Sequence, residues 1–168
     1  MAYKALQVSQ HIINYSIENG IPITNLKLQK LLYYTQAAFL LEYDEPCFEE
    51  EIEHWRHGPV VSKVYSEYKR YIDKNISDTQ TECLDMYIDA NANIAVRRIT
   101  YDVESFYEED IDLINNIIDS YRNIEPWELV DKTHQEDPWI NTSTNEVITN
   151  ESIREYFYTN RDRIYGDY

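Results

Sequence analysis

The hydrophobic and polar positions are organised around one stretch, Thr24 to Glu42, which reads TNLKLQKLLYYTQAAFLLE. Leu28, Leu31, Leu32, Thr35, Ala38 and Phe39 share a helical face, and Tyr34, Ala37, Leu40 and Leu41 widen it. Pro22 cannot extend a helix from the left, Thr24 offers its hydroxyl to the first-turn amides, and Ile23 and Leu28 stand at staple spacing. The pattern predicts one helix, apolar nearly all round, with a narrow wet stripe through Lys30. Such a helix is buried. It spans about 27 Å, the width of a small domain, so the other segments must wrap it.

Ala5 to about Asn19 reads as an amphipathic helix on Leu6, Ile13 and Ile17, stopped by Gly20. Phe48 to Trp55 alternates weakly and predicts a short strand. Gly58-Pro59 restarts helix, with Val64, Tyr65, Tyr68 and Tyr71 on one side as far as about Lys74. Asn75 to Thr100 is the least patterned stretch, though Leu84 to Asp89 and Ile94 to Tyr101 have β-favouring content that suits a hairpin or an edge ribbon. Ser105 and Glu108 form a capping box for a helix to about Asn123, buried through Ile111, Ile114, Ile117 and Ile118. Pro126 to Lys132 is a short helix, His134 to Trp139 a loop, and Glu151 to Asn160 a last helix on Ile153 and Phe157. Asp162 to Tyr168 is expected to fray. The fold class is mainly α: one compact domain, residues 1–160, around a buried central helix, with room for a short antiparallel β ribbon, and a C-terminal tail, 161–168.

Charge changes the picture most. The 168 residues carry a formal net charge of −16, which repels nucleic acid and anionic membranes and favours a basic protein partner. The acid is clustered. Glu42 to Glu53 and Asp102 to Asp119 each hold seven carboxylates and no Lys or Arg. Sixteen tyrosines supply stiff contact area with a polar tip. Tyr65, Tyr68 and Tyr71, three apart, read as core packing or as a partner-binding stripe. With Glu49, Glu50, Glu51, Glu108, Glu109 and Asp110 they make the candidate partner-binding set. No apolar run approaches a membrane span, the N-terminus lacks a signal-peptide core, and two cysteines suit a reducing cytoplasm.

Catalytic motifs are missing. Three glycines build no phosphate loop. His54, His57, His134, Cys47 and Cys83 do not stand at any zinc spacing. His134 beside Asp131, Glu136 and Asp137 resembles a base with its orienting carboxylate, but no nucleophile sits in a strained glycine turn. No carboxylate pair stands out for glycoside hydrolysis. We expect no cofactor, no metal and no enzyme.

Four patches, in order, resemble the Panacea domain family, the SocA-like and GepA-like phage-associated proteins. They are Thr24 to Gln36, including Leu28, Gln29 and Lys30; Trp55 with Gly58, Pro59, Val60, Val61, Val64 and Tyr65; Leu129, Thr133, His134, Pro138 and Trp139; and Ile153 to Phe157. The resemblance implies an antitoxin that neutralises a cognate toxin by direct binding, with no catalysis. In one branch it implies an adaptor that delivers the toxin to a protease. It implies that the matching residues, His134, Pro138 and Trp139 among them, are structural. The sequence reading is therefore a cytoplasmic antitoxin covering a basic site on its toxin with an acidic, tyrosine-rich surface, without direct nucleic-acid binding. The competing reading is a phage anti-defence protein, a nucleic-acid mimic or anti-CRISPR-like inhibitor, which the same acidity fits.

Overall fold

The computed structural model describes residues 2–166. Helices α1 (Ala5–Glu18) and α2 (Asn25–Glu42) are followed by strands β1 (Ile52–Trp55) and β2 (Gly58–Val60) and helix α3 (Ser62–Tyr68). The hairpin β3 (Glu82–Ile88) and β4 (Ile94–Thr100) precedes α4 (Glu108–Ser120), α5 (Pro126–Thr133), α6 (Asp137–Ile140), β5 (Val147–Ile148) and α7 (Asn150–Thr159). β1 is the middle strand of a three-stranded antiparallel sheet, between β2 and β5. β3 and β4 form a separate ribbon. The mainly α, single-domain reading with a small β component holds.

α2 is wrapped as its pattern demands. α1, α3, α4, α5, α7 and β2 all pack on it, and Leu28, Leu31, Leu32, Tyr33, Tyr34 and Ala37 are fully buried. Thr24 accepts a hydrogen bond from the Lys27 amide, the expected cap. The wet stripe is absent, however. Lys27, Gln29, Lys30, Thr35 and Gln36 are buried as well.

Most of those polar side chains clamp passing backbone. Lys27 Nζ donates to the carbonyls of Tyr121 (2.7 Å) and Ile124 (2.8 Å), capping the end of α4. Gln29 Oε1 accepts from the Val61 amide (3.0 Å). Lys30 Nζ donates to the Pro59 carbonyl (3.2 Å). Gln36 Oε1 accepts from the amides of Cys47 (2.8 Å) and Phe48 (3.2 Å), while its Nε2 donates to Phe48 O and Asn150 Oδ1. A buried amide or ammonium is tolerated only when partnered, and loop carbonyls and amides supply the partners here.

Several boundaries differ from the sequence reading, each for a local reason. Gly58-Pro59 is strand, not helix start: Gly58 at φ +108° completes a tight turn against Trp55, and Pro59 faces His54. The helix begins at Ser62 and ends at Tyr68. A 3₁₀ turn, Lys69–Tyr71, follows, and Ile72 then takes a left-handed conformation (φ 57°). Ser105 belongs to a 3₁₀ turn capped by Asp102, so α4 starts at Glu108 without the capping box. The loop before Trp139 contains α6, which Pro138 helps to open. The tail does not fray as far as it is described. Ile164 is buried and the Gly166 amide donates to Ser120 Oγ (3.0 Å). The expected fraying of Asp167 and Tyr168 lies outside the described residues.

Gly58 combines a crowded site with a backbone angle that favours glycine. An added Cβ meets Lys30 Cε and Thr133 Oγ1, each at 2.7 Å, on a backbone angle that L residues rarely adopt. Gly58→Ala is expected to cost about 2–3 kcal/mol, read as a lower urea midpoint. A loss below about 0.5 kcal/mol would mean that the turn relaxes freely.

Candidate functional site

The structure brings the two acidic runs together, and Tyr3 joins them. Its backbone bridges Phe48, the Tyr3 amide donating to Cys47 O (2.8 Å) and the Glu49 amide to Tyr3 O (3.1 Å). Its phenol reaches the other run, donating to Asp110 and accepting from the Tyr107 amide (3.1 Å). Burial and the Asp110 carboxylate push the phenol well above its ordinary range. Around this junction lies a shallow cavity of about 240 Å³ lined by Tyr3, Tyr43, Glu45, Tyr107, Glu109 and Asp110 among others. Tyr107 is 71% exposed. Glu49 pairs with Lys4, and Glu50 accepts from the Ala5 amide (2.7 Å), so this carboxylate sits at the positive end of α1. Glu51, Glu108 and Glu109 are exposed.

The tyrosines of this face are not those the sequence singled out. Tyr68 is fully buried, its hydroxyl donating to Gln80 Oε1 (3.2 Å), so it cannot contact a partner. Spacing of three placed Tyr65, Tyr68 and Tyr71 on one stripe, but the helix ends at Tyr68 and the stripe breaks there. Tyr71 is half-buried and donates to Asp78. Tyr65 is exposed and packs edge-on against Trp55, centroids 5.0 Å apart. Nothing in the local pattern around Tyr3, Tyr43 and Tyr107 marks them. Their grouping comes from the contact of the N-terminal segment with α4.

Tyr65 and Trp55 instead help to line an open groove of about 780 Å³, with Leu26, Val60, Ile72 and Trp127. Trp127 is exposed and lies edge-on to His57, centroids 5.0 Å apart. The rim mixes Arg56 and Lys69 with Asp73 and Glu125.

The remaining motif residues hold the structure. Trp139 is sandwiched between His54 (4.2 Å, 13°) and His134 (4.0 Å, 19°). His54 Nδ1 donates to Trp139 O (2.8 Å), and Trp139 Nε1 donates to Trp55 O (3.0 Å). Burial lowers the His134 pKa below its ordinary value, which favours a neutral ring stacked on indole over an imidazolium. Behind it, Glu136 is fully buried, accepting from Tyr34 Oη (2.9 Å) and Arg163 Nε (3.0 Å). Burial raises its pKa even against those partners. Neither histidine meets a nucleophile, and among the described residues no cluster of His, Cys, Asp and Glu is arranged to hold a metal ion.

Lys30 is the most perturbed base. It is fully buried with a carbonyl as partner, and burial lowers its pKa to about 7. In the unfolded chain it holds its proton to about pH 10.4. Between these values the unfolded state binds the extra proton, so stability rises with pH through the window. Lys132, lowered by burial to about 8, adds to the same trend. The slope attributable to Lys30 is about 0.7 kcal/mol per pH unit at pH 7, where the folded amine is half protonated, and about 1.3 between pH 8 and 9, below the range where tyrosines ionise. Urea titrations at pH 7, 8 and 9 are expected to show it, and Lys30→Met to remove it. An unchanged slope in the variant would show that Lys30 is charged when folded.

Together these features define a compact, mainly α domain with its central helix locked to the surrounding backbone and with an acidic face and an aromatic groove on its outside. No helix among the described residues is long and apolar enough to cross a membrane. The model of the family described as Antitoxin SocA-like, Panacea domain, matches residues 28–140, and the chain belongs to that family. A similar curated protein is Antitoxin SocA of Caulobacter vibrioides (strain NA1000 / CB15N), 38% identical over 61 residues. That segment is 36% of this chain and 32% of the relative, so the match spans about a third of the relative's length. No solved structure matches the chain.

Proposed function

We propose that this chain is an antitoxin that neutralises a cognate toxin by direct protein–protein contact, through the acidic face centred on Tyr3. Family membership supports the antitoxin role. The observation that carries the choice of face is the convergence of Glu45, Glu109 and Asp110 around Tyr43 and Tyr107, with Glu49 and Glu50 on the segment that Tyr3 ties to Asp110. Two runs more than fifty positions apart build one negative surface, which suits a toxin that is basic where it is touched. Electrostatic complementarity of this kind speeds encounter and fixes orientation. Tyr3, Tyr43 and Tyr107 supply the contact area that the sequence reading assigned to Tyr65, Tyr68 and Tyr71.

The test reverses Glu49, Glu51, Glu108 and Glu109 to Lys. It spares Glu50 and Asp110, which hold α1 and Tyr3. Toxin binding is expected to weaken roughly 100-fold or more, mainly through slower association, and wild-type binding to fall with added salt. Growth rescue of toxin-expressing cells should be lost in parallel, while Trp127→Ala in the aromatic groove leaves binding in place. Unchanged binding by the fourfold variant would remove the acidic face from the mechanism. Recovery of a nucleic-acid enzyme that competes with DNA or RNA for this face would replace the antitoxin reading with mimicry.

A further inference from the structure

The outward face of the β3–β4 ribbon is apolar and uncovered. Leu84, Met86, Ile88, Ile94 and Val96 leave between 57% and 72% of their surface open. The register makes them one patch: Met86 is opposite Val96, Ile88 opposite Ile94, and Leu84 opposite Arg98. This face cannot turn inward, because the other face is already anchored. Cys83, Asp85 and Ile99 are buried against the body. Asp85 binds Lys63 of α3 at 2.7 Å and Arg97 at 2.6 Å, and a one-residue slip would eject all three. Contiguous exposed apolar patches, unlike apolar residues scattered singly, mark contact surfaces, and a two-stranded ribbon gains stability when such a face is covered.

We infer that the same face of a second copy of this chain covers it, giving a two-fold dimer in which two ribbons pack face to face. Charge selects this occupant. Two chains of net charge −16 repel each other wherever their acidic runs meet. On the outer face of the ribbon Glu82 and Arg98 pair with each other at 3.5 Å, and the charges of α3 that border Leu84 and Met86 are paired too, Lys63 with Asp85 and Glu67 with Arg70, so the face is close to neutral. A basic partner drawn to the acidic face has no free carboxylate to meet here, whereas an identical apolar face is self-complementary under two-fold symmetry. The ribbon face and the Tyr3 face share no residue, so the dimer contact is distinct from the toxin contact.

Sedimentation equilibrium of the full chain tests this, across about 1–100 µM at near-physiological salt, a span that brackets moderate self-association. The average mass is expected to climb from 20.1 kDa toward twice that value. Met86→Lys and Val96→Glu, made separately, should each raise the dissociation constant roughly 100-fold or more by placing a charge in the apolar contact. Both positions are exposed, so far-UV circular dichroism and melting temperature of the diluted protein should stay unchanged. A wild-type chain that remains monomeric at the highest concentration overturns the inference, as do variants that dimerise like wild type. A monomeric wild type whose Met86→Lys variant loses toxin binding also overturns it, and gives the ribbon to the toxin.

Discussion

Replacing Glu136 by Ala should unfold the protein more readily than any other single substitution considered, at a cost of about 3–5 kcal/mol. Glu136 is fully buried and is the carboxylate that Arg163 Nε and Tyr34 Oη share. Lys132 stands beside it, its ammonium over the rings of Tyr34 (4.1 Å) and Tyr121 (4.8 Å) and bonded to the Tyr121 hydroxyl. Removing the carboxylate leaves the Arg163 guanidinium without its anion in a poorly solvated place, or Lys132 forced to give up its proton beside it, and that cost exceeds the loss of the bonds themselves. Glu136→Gln keeps the shape and an acceptor for Tyr34, and should cost less. Urea unfolding of both variants separates the charge from the packing. Arg163 ties the C-terminal segment to this site, so limited proteolysis of Glu136→Ala should cut first within residues 160–166. A loss below 1 kcal/mol for the alanine variant would show that Arg163 and Lys132 reach water without it.

The second large effect is expected at Trp139. The indole lies between two imidazoles at stacking distance, and its N–H and its own carbonyl are both bonded to β1, to Trp55 O and His54 Nδ1. Trp139→Ala removes the filling of the sandwich and one of the two bonds that tie α6 to β1, at about 2–4 kcal/mol. Trp139→Phe retains a ring but leaves Trp55 O without its donor, and should fall about midway. Protonating His134 offers an independent check. Burial holds the His134 pKa below its ordinary value, so the folded state resists protonation. Stability from this residue is present at neutral pH and is lost as pH falls below about 6.5, where the unfolded chain takes up the proton. Equal stability of Trp139→Ala and wild type in urea would refute a structural role for the stack.

Much of the fold was legible because apolar periodicity reports burial directly. α1, α2, α4 and α7 are long enough, or one-sided enough, for their pattern to outweigh local noise, whereas the β3–β4 ribbon showed only as β-favouring content that left a hairpin and an edge ribbon open. What the pattern could not carry was the inside of polar residues. Lys30 and Gln36 read as wet because single-sequence hydropathy has no term for a carbonyl waiting 29 or 12 residues away in the chain. Gly58-Pro59 read as a helix start because both residues suit one. The deciding fact is non-local: Lys30 and Thr133 occupy the space a side chain would need. The candidate site was legible in charge and not in aromatics. The two acidic runs are plain in the sequence, but the tyrosines beside them come from position 3, from the end of α2 and from the entry to α4. Only the folded chain brings those together.

The clamps on α2 also bear on how the chain comes apart. Gln36 holds Phe48 and Asn150, Lys27 holds Tyr121 and Ile124, and Lys30 holds Pro59, with up to 114 positions between partners. Undocking any of these segments strands an amide or ammonium in the hydrophobic interior, so partial opening costs nearly as much as complete unfolding. Contacts so distant along the chain also delay the final closure, because the helix cannot settle until both ends of the sequence have arrived. The population should therefore divide between intact domains and fully open chains, with few survivors in between. A processive protease pulling on either terminus would meet one resisting unit and then no resistance at all.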